Sequence, residues 1–145
     1  MASVIFLETD AHVRTRLAQL LNSLPDIAPI GQAVNGEQLV AACRTGLWEL
    51  AIVDLLDPGH RPLELIYRLR QEYPALPLIA VSFDLQVSTL QHCLRLGVLG
   101  LVASQDLVDE LATAIRSALA GERYLSQAVR RALDDTAPAS PAATP

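Results

Sequence analysis

Leu50-Ala51-Ile52-Val53-Asp54, continued by Leu55-Leu56-Asp57-Pro58-Gly59, joins a run of four apolar residues to a carboxylate and then to a turn. A strand that is apolar along its whole length is covered on both faces, as in parallel sheets flanked by helices. Ligands of an open parallel sheet gather in the crevice outside the carboxyl ends of its strands, so position alone makes Asp54 a candidate site residue. The chain around it contains no lysine, and all 11 of its cations are arginines. Carboxylates that accept phosphoryl groups are normally helped by a cation that offsets the developing charge, so these two features pull in opposite directions.

Outward from Asp54, similar short apolar runs recur at Val4–Leu7, Ile27–Ile30, Leu78–Val81 and Val98–Val102, which makes five strands. Amphipathic segments alternate with them. Val13, Leu17, Leu20, Leu21 and Leu24 fall at helical spacing, as do Leu63, Ile66 and Leu69, and again Leu107, Leu111 and Ile115. A second helix is expected to start near Asn35-Gly36-Glu37, and a fourth to cover Val87–Leu96 with Gly97 as its C-cap. Right-handed crossovers then give an α/β three-layer sandwich, a five-stranded parallel sheet with helices on both faces. After the fifth helix, Gly121-Glu122-Arg123-Tyr124-Leu125-Ser126 makes a break, with Ser126 as N-cap of a short helix over Gln127–Asp135 carrying Val129 and Leu133. Residues 136–145 have the Pro/Ala-rich composition of a semi-rigid linker. The expected organisation is one domain over 1–125, a short helix over 126–135 and a linker or tail over 136–145.

Composition excludes several function classes. A chain of 145 residues, 51% hydrophobic and 19% charged, buries one sizeable core but is too short for two ordinary domains. A net charge of −5 and the absence of an Arg-rich run argue against direct contact with nucleic acid or an anionic membrane. Cys43 and Cys93 sit in apolar helical segments without metal-ligand spacing and read as small core residues. No leader-like or spanning apolar segment is present, so a cytoplasmic location is expected. His12, His60 and His92 are scattered over separate segments, and Trp48, just before the third strand, reads as packing.

Several stretches, in register over about Ser3–Asp135, resemble the receiver domains of bacterial two-component response regulators. Val4-Ile5-Phe6-Leu7-Glu8-Thr9 is similar to the first strand with its acidic pair. Asp54 falls on the phosphoacceptor, Asp57-Pro58-Gly59 on the following loop, and Ser82 on the switch hydroxyl. Leu96-Gly97-Val98-Leu99-Gly100 matches the turn into strand five. Ala118-Leu119-Ala120-Gly121-Glu122-Arg123-Tyr124-Leu125-Ser126 resembles the end of receivers joined to a LuxR/NarL-type helix-turn-helix. The resemblance implies a flavodoxin-like receiver fold of strand order 2-1-3-4-5. It also implies a Mg²⁺ site made by Glu8, Asp54 and the backbone carbonyl of Leu56, bridging acceptor and phosphate oxygens.

The departures from that family are chemical. Thr9 replaces the second acid of the pair with an uncharged hydroxyl, and Asp10, just before the first helix, is better placed as its N-cap. Ser104 stands where the family has its salt-bridging lysine, so a phosphoryl group of about −1.5 to −2 charge would enter a pocket already holding Glu8 and Asp54. Arg61 is the arginine nearest in sequence to the site. Leu101 takes the place of the strand-five aromatic, and Phe83, where a small residue is usual, is expected either over the pocket or beneath the fourth helix.

Other chemistries fare worse. Leu56 stands where an Asp-x-Asp phosphatase has its second acid, and Thr9-Asp10-Ala11-His12 is no flavin phosphate loop. A non-enzymatic signalling domain is expected, with two alternatives left open. One is an atypical receiver acting as a phosphate-independent dimerisation or interaction module that controls a transcriptional output. The other is a receiver phosphorylated on Asp54 by a sensor histidine kinase. Both imply a homodimer and a DNA-binding domain beyond Pro145, with interaction through the face of helix four, strand five and helix five, or through helices one and five. Leu85, Val87, Leu94 and Val108 are the candidate exposed apolar contacts.

Overall fold

The computed structural model of the chain describes residues 1–55 and 61–136. Its elements run β1 (Ala2–Leu7), α1 (Ala11–Asn22), β2 (Ile27–Ala33), α2 (Gly36–Arg44), β3 (Leu50–Asp54), α3 (Pro62–Glu72), β4 (Leu78–Ser82), α4 (Val87–Arg95), β5 (Gly100–Ala103), a 3₁₀ turn (Ser104–Asp106), α5 (Leu107–Leu119), β6 (Tyr124–Leu125) and α6 (Gln127–Thr136). All strand pairs are parallel, in the order β2-β1-β3-β4-β5-β6. The expected order holds for the five main strands. The sixth, only two residues long, was not foreseen, because Tyr124 and Leu125 are too few to show a strand period.

Side chains alternate across each strand and so divide the core in two. Ile5, Leu7, Ala51, Val53, Leu78, Ala80, Leu101 and Ala103 face one way, onto Leu39, Val40 and Cys43 of α2, Ile66 and Leu69 of α3, Leu90 and Cys93 of α4, and Val129 of α6. Val4, Phe6, Leu50, Ile52, Ile79, Val81 and Val102 face the other way, onto Leu17 and Leu21 of α1 and Leu111, Ala114, Ile115 and Ala118 of α5. Both cysteines are free and buried core residues, as their segments imply. Trp48 is half-buried against the first of these clusters.

Local chemistry sets the helix ends. Asn35 Oδ1 accepts from Gln38 N at 2.8 Å and caps α2, and Gly97, at φ +93°, follows α4 where a left-handed residue closes the turn. Ser126 stands at the N-cap position expected of it, its carbonyl accepting from Arg130 N at 2.9 Å, while its hydroxyl accepts from Ala103 N of β5 at 2.9 Å. The first amides of α6 are held by acids of the preceding elements: Ala128 N donates to Asp106 Oδ2 at 2.9 Å and Gln127 N to Glu110 Oε2 at 3.1 Å.

Candidate functional site

The carboxyl ends of β1, β3 and β4 bring three of the sequence-derived candidates to one edge of the sheet. Glu8 follows β1, Asp54 ends β3 and Ser82 ends β4; they are buried, at 2%, 4% and 1% exposure. Register sets them side by side: Leu7 pairs with Val53, one residue before Glu8 and Asp54, and Asp54 pairs with Val81, one residue before Ser82. The fourth candidate, the Leu56 carbonyl, lies outside the described residues, as do Asp57, Pro58, Gly59 and His60.

Each acid near β1 is engaged with backbone. Glu8 Oε1 accepts from Asp10 N at 3.0 Å. Asp10 Oδ1 accepts from His12 N at 2.8 Å and Val13 N at 3.1 Å, the N-cap role expected of it. One turn into α1, Arg14 reaches back and donates from its guanidinium to the carbonyl of Glu8 at 3.1 Å and, more weakly, to that of Thr9 at 3.4 Å. Arg14 is thus a cation at the mouth of the acidic edge. Sequence reasoning passed over it, because its reach depends on how α1 leans on β1. Arg61 points elsewhere: its guanidinium pairs with Glu64 at 3.0 Å, and the two side chains are 81% and 69% exposed.

The hydroxyl of Ser82 accepts from Leu85 N at 3.1 Å, closing a turn in which Leu85 holds φ at +54°. Leucine in that region is strained by its Cβ, and its half-buried side chain packs against the first core cluster. Phe83 does not pack beneath α4. It packs with the second cluster and lines a groove of about 250 Å³ with Val13, Leu17, Leu20 of α1 and Ser104, Leu107 of the β5–α5 junction. The reason is register: next after Ser82, its side chain projects to the opposite side of the sheet from the Leu85 turn. Leu101 is fully buried. Of the four candidate contact residues, Val108 is 76% exposed, whereas Leu85, Val87 and Leu94 are half-buried, Leu85 and Leu94 against the core.

Receiver domains generally bind Mg²⁺ at the phosphorylation site. The described residues provide two acids for such an ion, Glu8 and Asp54, with one Glu8 oxygen already accepting a backbone amide and Thr9 neutral. Among them, no group of three or more His, Cys, Asp or Glu side chains could hold a metal ion. Mg²⁺ is usually held by one or two carboxylates with several waters retained, and Glu8 and Asp54 are the described residues that would supply them. No helix of the described residues is long and apolar enough to cross a membrane.

Comparison with known proteins agrees with this geometry. The response regulator receiver domain family matches residues 4–116. The nitrate/nitrite response regulator protein NarL of Escherichia coli K12 is 28% identical over 128 residues, 88% of this chain and 59% of NarL. The response regulator GacA of Pseudomonas protegens is 26% identical over 133 residues, 92% of this chain and 62% of GacA. The chain thus spans less than two thirds of the length of either relative. Among solved structures, a LuxR-family two-component response regulator from Aurantimonas superposes with TM-score 0.86 at 21% identity, covering 93% of this chain and 96% of that one. The isolated receiver domain of RcsB from Salmonella enterica serovar Typhimurium, in the presence of the phosphomimetic BeF3⁻, gives TM-score 0.83 at 21% identity, covering 91% and 98%. Five parallel strands in receiver order, an acid at the end of the third, and a family match over most of the chain agree: this chain belongs to the response regulator receiver domain family and is the receiver domain of a two-component response regulator.

Proposed function

We propose that this chain is an atypical receiver, a phosphate-independent dimerisation or docking module that controls a transcriptional output. The observation that carries the reading is Ser104, a neutral residue opening the turn after β5, where the resemblance places a lysine. Without a cation there, phosphate on Asp54 would place its charge beside the buried Glu8 carboxylate with no lysine to offset it. The switch residues also have structural work. Ser82 holds the Leu85 turn, and Leu101 is sealed inside the core. In this reading the chain is no enzyme, acts in the cytoplasm as a homodimer, and serves a DNA-binding domain beyond Pro145. RcsB, a fold relative, has been seen as two dimers bound to two DNAs, which accords with such an assembly.

A second reading rests on Arg14. Its guanidinium lies against the Glu8 and Thr9 carbonyls and brings positive charge to the acidic edge, so phosphorylation of Asp54 by a sensor histidine kinase has a cation to draw on. Intact-mass spectrometry after incubation with acetyl phosphate and Mg²⁺ separates the two, with Asp54→Asn as control. No added phosphoryl group is the expected result. A gain of one, absent from the variant, would overturn the first reading in favour of the second. Light scattering over a wide concentration range tests the dimer, which a monomeric mass throughout would contradict.

A further inference from the structure

The segment after α5 builds a terminal arm. Residues 120–123 are exposed, and Gly121 turns the chain at φ +76°. Beyond them, β6 pairs with β5, Gly100 with Tyr124 and Leu101 with Leu125, and α6 then lies over α4, β5 and the 3₁₀ turn. In α6, Ala128, Val129, Ala132 and Leu133 fall on one helical face, and that face enters the core beside Cys93, Leu94, Leu101 and Ala103. Arg130, Arg131, Asp134 and Asp135 stay exposed. An amphipathic helix lying by its apolar face in a groove is a recurrent docking mode.

Polar bonds hold the start of this helix. Asp106 Oδ2 accepts from Ala128 N at 2.9 Å, Glu110 Oε2 from Gln127 N at 3.1 Å, and Glu110 Oε1 from the Tyr124 hydroxyl at 2.6 Å. Ser126 adds its bond to Ala103 N, and its own amide donates to the Leu101 carbonyl at 2.9 Å. The acids lie one turn apart where α5 begins and grip the end of α6 at which backbone amides lack helical partners. Contacts of α6 are thereby divided between a latch at its start and an apolar cleft along its length.

We infer that the cleft between α4 and β5 is a helix-docking site whose resident, α6, is held by the Asp106–Glu110 latch and is replaceable by the α6 of a second copy of this chain. The cleft already fits that helix, since it holds it in cis, and an exchanged arm would recreate each contact across two copies, with only the exposed hinge changing course. The inference does not involve Asp54, so neither outcome of the phosphorylation test decides it.

The test uses the full chain carrying D106A/E110A and a fluorescein-labelled peptide of residues 124–136. Hydrogen exchange at Gln127, Ala128 and Val129 is expected to quicken by about tenfold or more, the scale of a lost helix cap, while β1 and β3 keep their protection. Fluorescence anisotropy is expected to show the wild-type peptide binding a full chain that carries Val129→Asp at least about tenfold more tightly than it binds the wild-type chain, since that resident helix competes less while Asp106 and Glu110 remain to hold the incoming one. A peptide carrying Val129→Asp is expected not to bind. An arm as protected as in the wild type would overturn the latch. A released arm with no peptide binding, or equal binding of the Val129→Asp peptide, would overturn the docking site. If D106A/E110A loses protection in β1 and β3 as well, the single variant D106A, which removes the acceptor for Ala128 N alone, is judged by the same criteria.

Discussion

Glu8 and Asp54 lie one residue beyond the paired Leu7 and Val53 on adjacent parallel strands, and both carboxylates are withdrawn from solvent. Like charges held together away from water repel one another. Asp54→Asn removes one charge and keeps the shape, so its thermal midpoint is expected at or above that of the wild type. Calorimetry at neutral pH reads it. A fall of more than about 4 °C, on the order of 1 kcal/mol for a domain of this size, would show that the bonds Asp54 makes in the fold outweigh the repulsion.

Leu101 sits at a position where the family resemblance implies an aromatic, and here it is fully buried beneath α6 with Leu125 paired beside it. Tyrosine at 101 is therefore expected to overpack the core rather than restore a switch, costing about 1–3 kcal/mol. Urea unfolding should show a lower midpoint with an unchanged m-value. Unaltered stability would mean that α6 yields readily, and would favour a loosely held arm.

Gly31 of β2 lies against Trp48 so closely that an added Cβ would stand 2.5 Å from Cη2 of the indole, 2.6 Å from its Cζ2 and 2.7 Å from Cδ1 of Ile5. Gly31→Ala is expected to destabilise the fold by about 1–3 kcal/mol. Combining it with Trp48→Phe should recover part of that loss, because the ring atoms in the way are removed. A double-mutant cycle gives the coupling, and strict additivity would place the strain elsewhere.

Burial pushes the thiols of Cys43 and Cys93 up from 9.0 to about 11. In the unfolded chain they ionise near 9, so between about pH 9 and 11 the unfolded state binds fewer protons and stability falls as pH rises. Below pH 9 both states keep the proton and the contribution is intact. Urea midpoints measured from pH 8 to 10.5 should decline less steeply in C43A/C93A than in the wild type. Iodoacetamide at pH 8 is expected to label neither thiol until urea unfolds the chain.

Much of the site was legible before any coordinates. Asp54, Glu8 and Ser82 end apolar runs, and in a parallel sheet run ends converge at one edge. Asp10 was readable as a cap because capping is a local event between a side chain and amides two and three residues on. Phe83 and Arg14 were not. Which side Phe83 takes depends on where the turn after Ser82 sends the backbone, and the reach of Arg14 to the Glu8 carbonyl depends on the lean of α1 over β1. Both are set by packing between elements distant along the chain.

The sequence by itself determined the parallel α/β sandwich, the strand-end acids and the absence of lysine, because periodicity, capping residues and composition are local or additive properties. Only the tertiary structure decided that the Ser126 hydroxyl serves β5, that Asp106 and Glu110 hold the final helix, and that this helix covers the cleft beside α4. Those pairings join residues many positions apart. A hydroxyl or carboxylate has several partners within reach along a chain, and the geometry of the assembled core leaves it one.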